Sequence, residues 1–195
     1  MFGTCAGLIL LGYHAKGGTL GAVCEHTMSS VGWQHAWLNG RETGEIGIDA
    51  AIAAEHGVPV IMVSGDDKTC LEARDWLPQA VTCQVKKGFS CNGARMPSLE
   101  KTRALITEKS AEAVKKAPGM PLLKIASPVT LRLELVSRCR LPDNKAYRHL
   151  DARTYELTVG SVEEALSSTG DSLAVEILGR ADLVMRPERA GETAG

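Results

Sequence analysis

His14, His26 and Glu45 are the residues whose types and placement could do chemistry. An imidazole and a carboxylate can share a divalent metal ion, and a second imidazole beside them can move a proton. His14 follows the apolar run Leu8-Ile9-Leu10-Leu11, so it stands where a buried strand would end. Its plain alternative is a hydrogen-bonded histidine at a strand end. His26 sits in the irregular stretch Cys24-Glu25-His26-Thr27-Met28. There it could be a general base or a donor to a developing oxyanion, or an ordinary exposed loop histidine. Glu45 opens a helix, where the dipole favours a negative charge whether or not a metal is near. Two histidines and a glutamate suit a metal-assisted hydrolase, yet a catalytic zinc usually has about three protein ligands.

Other polar residues are weaker candidates. Asp66 and Asp67 follow an apolar run and could be ligands, but a cap for the next helix is the simpler role. Asp49 is a further carboxylate that could be recruited to a metal. Cys24 lies two residues before His26, but cysteine hydrolases do not build their pairs from neighbouring positions. His35, His56 and His149 have no supporting context and read as structural or exposed.

The elements that must position these groups follow from patterning. Leu8 to Leu11 reads as a buried strand, covered on both faces. Residues 15 to 44 are glycine-rich, with a hairpin through Trp37-Leu38-Asn39-Gly40-Arg41. Glu45 to His56 reads as a helix stopped by Gly57. Pro59 to Val63 is a second buried strand, followed by the acidic turn Ser64-Gly65-Asp66-Asp67 and a helix through Trp76. Such strand–loop–helix units collect ligands at the carboxyl ends of the strands. Val81 to Val85 reads as a short strand, and residues 89 to 96 as a polar loop. Pro97 is placed at the first position of a helix running to Lys116. Val129 to Leu135 and Tyr155 to Val159 alternate as half-buried strands. Ser161 with Glu164 makes a capping box for a last helix through Ala165, Leu166, Ala174 and Ile177.

The expected fold class is α/β: an incomplete three-layer α/β/α domain with a mostly parallel sheet, followed by a smaller α+β domain. The expected divisions are residues 1–87, residues 88–185 and a disordered tail, 186–195. A net charge of -1 gives no pull towards nucleic acid or an anionic membrane. The first apolar run is too short for a membrane span, which needs about 20 residues, and has no basic flank, so a cytoplasmic protein is expected. The 6 cysteines include no pair with two residues between, which excludes zinc-ribbon spacing. Free buried thiols are expected.

In combination, these segments resemble the DppA-like D-aminopeptidases, a family of zinc peptidases. The resemblance is carried by Leu11-Gly12-Tyr13-His14-Ala15, Gly21, His26, Met28, Leu38-Asn39-Gly40, Gly44-Glu45-Ile46-Gly47 and Val58 to Asp67. It continues through Val85-Lys86, Ser90 and Leu105 to Lys109. It implies removal of an N-terminal residue, D-residues included, from short peptides, by a ring-shaped homo-oligomer described as a decamer. It also implies a two-zinc site in which His14 and Glu45 are ligands and His26 is the catalytic group. The family pattern begins with an Asp-x-Glu strand and a further histidine, all metal ligands, which this sequence lacks. The resemblance therefore implies an N-terminally truncated chain, inactive by itself and unable to hold two zinc ions alone. A non-catalytic oligomerising relict and one half of a split metallopeptidase are the alternatives.

Overall fold

The computed structural model describes residues 5–138, 141 and 145–169. Its first sheet is parallel, with β1 (Leu8–Leu10) beside β4 (Val60–Gly65) and β4 beside β5 (Val81–Gln84). Every residue of β4 is buried, which is why its sequence runs apolar without alternation. The hairpin expected at Asn39-Gly40 joins β2 (Trp33–Leu38) to β3 (Arg41–Thr43). Both turn residues have positive φ, 49° and 81°, as the tight hairpin turn demands.

Helices cover both faces of the parallel sheet. On one side α1 (Glu45–Glu55) and α2 (Asp67–Trp76) supply Ile46, Ala50, Ala73 and Trp76 to a core with Leu10, Val60 and Val63. On the other, α3 (Leu99–Lys116) packs Ala113 against Ile61, Met62, Val81 and Cys83. This is the three-layer arrangement expected from the sequence.

The second sheet is antiparallel, in the order β3-β2-β8-β10-β9, with β8 (Val129–Leu135), β9 (Arg148–His149) and β10 (Thr154–Val159). It takes β2 and β3 from before residue 88 and the rest from after it. Its inner face, Ala36, Leu38, Leu131, Leu133 and Tyr155, packs on Ile48 and Ala51 of α1. Thus α1 lies between two cores, which explains why apolar residues occupy more than one of its faces.

Local details differ from the sequence expectations. Residues 89–96 are not only loop: β6 (Lys87–Ser90) pairs with β7 (Gly93–Arg95). Pro97 stands before the cap and not inside the helix, because Ser98 is the N-cap of α3 and accepts from Lys101 N–H. Cys70 and Cys83 are buried as expected, but Cys5, Cys24 and Cys91 are exposed, and all five are free thiols. The box at Ser161 forms its forward half, Glu164 N–H to Ser161 Oγ at 3.0 Å, while Glu164 reaches back to Gly160 N–H at 2.9 Å. A helical run covers 162–169; Ala174, Ile177, Cys139 and the tail 186–195 lie outside the described residues. Among the described residues no helix is long and apolar enough to cross a membrane.

Candidate functional site

The carboxyl end of β1 sets the first group in place. The chain leaving that strand stays bonded to the end of β4: Gly12 N–H donates to Ser64 Oγ and Tyr13 N–H to Ser64 O, each at 2.8 Å. His14 therefore stands at the edge where ligands of parallel sheets collect. The loop that follows folds back on itself, with Gly17 N–H on Thr27 Oγ1 at 3.1 Å and His26 N–H on Ala15 O at 3.3 Å. That return brings the His26 ring onto the His14 ring, stacked with centroids 3.8 Å apart.

Glu45 closes the group from the first turn of α1. Its Oε2 is 3.5 Å from His14 Nε2 and its Oε1 is 3.5 Å from His26 Nε2. Ligand atoms of His14, His26 and Glu45 all lie within 4.8 Å of one another, a group that could hold a metal ion. Both imidazoles have their other nitrogen engaged by backbone: His14 Nδ1 with Ala15 O at 3.1 Å and His26 Nδ1 with Cys24 O at 2.7 Å. An Nδ1–H donated to a carbonyl leaves Nε2 as the free lone pair, the tautomer a metal-binding histidine needs. Glu45 is itself oriented, because Oε1 accepts Met28 N–H at 2.8 Å. The three side chains are 17%, 30% and 19% exposed, open enough for a ligand to reach them.

The electrostatics favour positive charge at this point, whether a proton on His14 Nε2 or a cation that displaces it. Burial opposes charge on His14, but the Glu45 carboxylate and the Ala15 carbonyl outweigh it and hold its pKa above the usual imidazole range. Burial likewise opposes charge on Glu45, but His14 and Met28 N–H outweigh it and keep its pKa low. Asp49, one turn further along α1, takes Tyr13 O–H at 2.6 Å, and burial raises its pKa.

The other candidates fall elsewhere. Asp66 caps α2, accepting Thr69 N–H and Thr69 O–H at 2.7 Å each, and also holds Val23 N–H at 2.7 Å. Asp67 accepts Gly88 N–H at 2.9 Å and pairs with Lys68. His35 faces Glu42, and His56 faces Glu163. The sequence shows Met28 only as part of the resemblance, without its backbone bond to Glu45, and does not mark Glu72, which burial pushes up in pKa and whose Oε2 accepts Lys16 N–H at 2.7 Å. No local pattern marks either residue, since each acts on a partner far along the chain.

Comparison with known proteins bears on this geometry. A family profile described as D-aminopeptidase matches residues 2–169, which include all three members of the group. This chain belongs to the D-aminopeptidase family. A curated D-aminopeptidase of Bacillus subtilis (strain 168) is 37% identical over 130 residues, covering 63% of this chain and 47% of the relative. The family member thus spans about half the length of that relative. A solved structure, the Zn-dependent D-aminopeptidase DppA from Bacillus subtilis, described as a self-compartmentalizing protease, superposes with a TM-score of 0.78 at 27% identity. That match covers 95% of this chain and 66% of the other.

Proposed function

We propose that this chain serves a zinc-dependent aminopeptidase that removes the N-terminal residue, D-residues included, from short peptides. The observation that carries the reading is the convergence of His14 Nε2 and His26 Nε2 on the Glu45 carboxylate, each 3.5 Å from it, with both Nδ1 atoms engaged by backbone. His14 and Glu45 are assigned to the metal and His26 to the reaction. Zinc held there would polarise the scissile carbonyl and bring the pKa of a bound water towards about 7. His26 keeps Nδ1–H on Cys24 O, so a proton can be taken and returned only at Nε2.

Among the described residues this is the one group of three or more His, Cys, Asp or Glu residues placed to hold a metal. The lone chain is therefore expected to bind fewer than two zinc ions. The named relative is described as self-compartmentalizing, and we assign this chain the same habit, a ring-shaped homo-oligomer admitting short peptides. A cytoplasmic location belongs to the same reading.

The test is zinc per chain on the purified protein, its mass confirmed, with hydrolysis of a tripeptide beginning with D-alanine and the sedimentation coefficient. Zinc bound with hydrolysis supports the reading. Zinc bound without hydrolysis, even after zinc is added in excess, favours a non-catalytic oligomerising relative or one half of a split metallopeptidase. A chain that binds no zinc sinks the metal assignment, and two ions per chain sinks the expected stoichiometry.

A further inference from the structure

Glu72 lies on α2, on a different element from His14, His26 and Glu45, yet it touches both segments that deliver the metal-facing side chains. Its Oε2 accepts Lys16 N–H at 2.7 Å, two residues beyond His14. Its Oε1 lies against Gly44, the residue before Glu45: a Cβ built on Gly44 would stand 2.7 Å from Oε1 and 2.7 Å from Lys16 Cβ. Oε1 is buried and has no hydrogen-bond partner among the described residues. A half-buried carboxylate with one oxygen buried and unpaired costs stability, and an apolar residue would fill such a place more cheaply.

Two further features explain why it is tolerated. Gly44 is the N-cap of α1 and offers no side-chain cap. The Glu72 carboxylate stands beside that uncapped terminus, where the helix dipole favours negative charge. One helical turn along α2, Trp76 meets α1 in the same way, 2.9 Å from where a Cβ on Gly47 would be. The Gly44-Glu45-Ile46-Gly47 turn is thus pressed onto one face of α2.

The geometry points to Glu72 as a positioning residue that fastens the His14 segment and the start of α1 to α2, so that His14 and Glu45 face one point. This rests on the reading of those two residues as zinc ligands and adds the part that aims them. Ligand geometry must hold to about 0.5 Å, and a side chain anchored two residues away sets the backbone from which His14 projects.

The experiment compares the unaltered full chain with Glu72→Ala, Glu72→Gln and Glu108→Ala, an exposed control on α3. Three quantities are read: zinc affinity by competition with a chelating dye, melting temperature, and amide hydrogen exchange of the metal-free chain. Glu72→Ala is expected to weaken zinc binding about 10- to 100-fold, as loss of a group orienting a metal ligand does. It should also speed exchange at Lys16 and in the first turn of α1 while β4 and α3 keep their protection. Glu72→Gln retains an oxygen for Lys16 N–H and should regain most of the affinity; Glu108→Ala should lose none.

Unchanged zinc affinity in Glu72→Ala overturns the inference. So does a general stabilising role, shown by exchange quickened everywhere, a lower melting temperature and no recovery with glutamine. Should the unaltered chain bind no zinc, the function reading fails by itself. Metal-free exchange then decides: selective loss of protection at Lys16 and the start of α1 upholds the clamp, and unaltered protection there overturns it.

Discussion

At the residue scale the site depends on neighbours that fix rings and carboxylates in one orientation. His26 is bracketed by Cys24 and Met28, both with positive φ (51° and 57°), a conformation that costs a non-glycine residue about 1–2 kcal/mol. Nothing in Cys24-Glu25-His26-Thr27-Met28 announces that shape, so the sequence shows a histidine in a loop and not where it points. In any preparation that hydrolyses the D-alanine tripeptide, His26→Ala should lower kcat about 10²- to 10⁴-fold with zinc content unchanged. A loss of zinc in that variant would make His26 a ligand instead. Asp66 supplies a second test. Burial works against its charge, but Thr69 N–H, Val23 N–H and Thr69 O–H hold its pKa below the usual carboxylate value. A folded pKa below the unfolded one means stability present above about pH 4 and lost as pH falls through the folded value. Asp66→Asn should therefore flatten the acid limb of a melting-temperature profile below about pH 4, and an unchanged limb would contradict this. The capping half of this role was legible from Asp66 alone. The bond to Val23, 43 positions away, was not, because patterning reports periods within a segment and not partners between segments.

At the element scale, α1 does the most. It places Glu45, and it packs Ile46 and Ala50 in one core and Ile48 and Ala51 in another. Its limits were readable because Gly57 carries positive φ, 75°, just past the helix end. Its glycine at position 47 has a steric reason: a Cβ there would stand 2.3 Å from Thr43 Oγ1 and 2.9 Å from the Trp76 ring. Helix propensity alone would make Gly47→Ala stabilising by about 1 kcal/mol. Overpacking of about 1–3 kcal/mol opposes it, so urea denaturation should show a net loss. A gain would mean that Trp76 can yield. The β6–β7 hairpin escaped sequence reading because its strands are short and mostly exposed, without the alternation that marks a half-buried strand. Its Asn92-Gly93 turn signal was present all the same.

At the scale of the whole molecule, the class of fold was legible and its closure was not. Alternating residues in β8 and β10 show which faces are buried, but not that β8 pairs with β2. The continuous antiparallel sheet and the shared helix predict one unfolding unit. Trp33 lies in the sheet core and Trp76 in the parallel-sheet core, so each reports on one of them. With Trp37 and either of the others changed to Phe, fluorescence should give coincident urea midpoints. Separate midpoints would support two independent domains divided near residue 87. The same sheet governs the order in which the nascent chain can become native. Asn39 Oδ1 receives Thr130 N–H across 91 residues, so the hairpin of β2 and β3 waits for a partner made much later. During synthesis its apolar inner face stays unmatched until β8 emerges from the ribosome. Such distant pairing is paid for in loop entropy and slows folding. That interval is when a chaperone would have most to do.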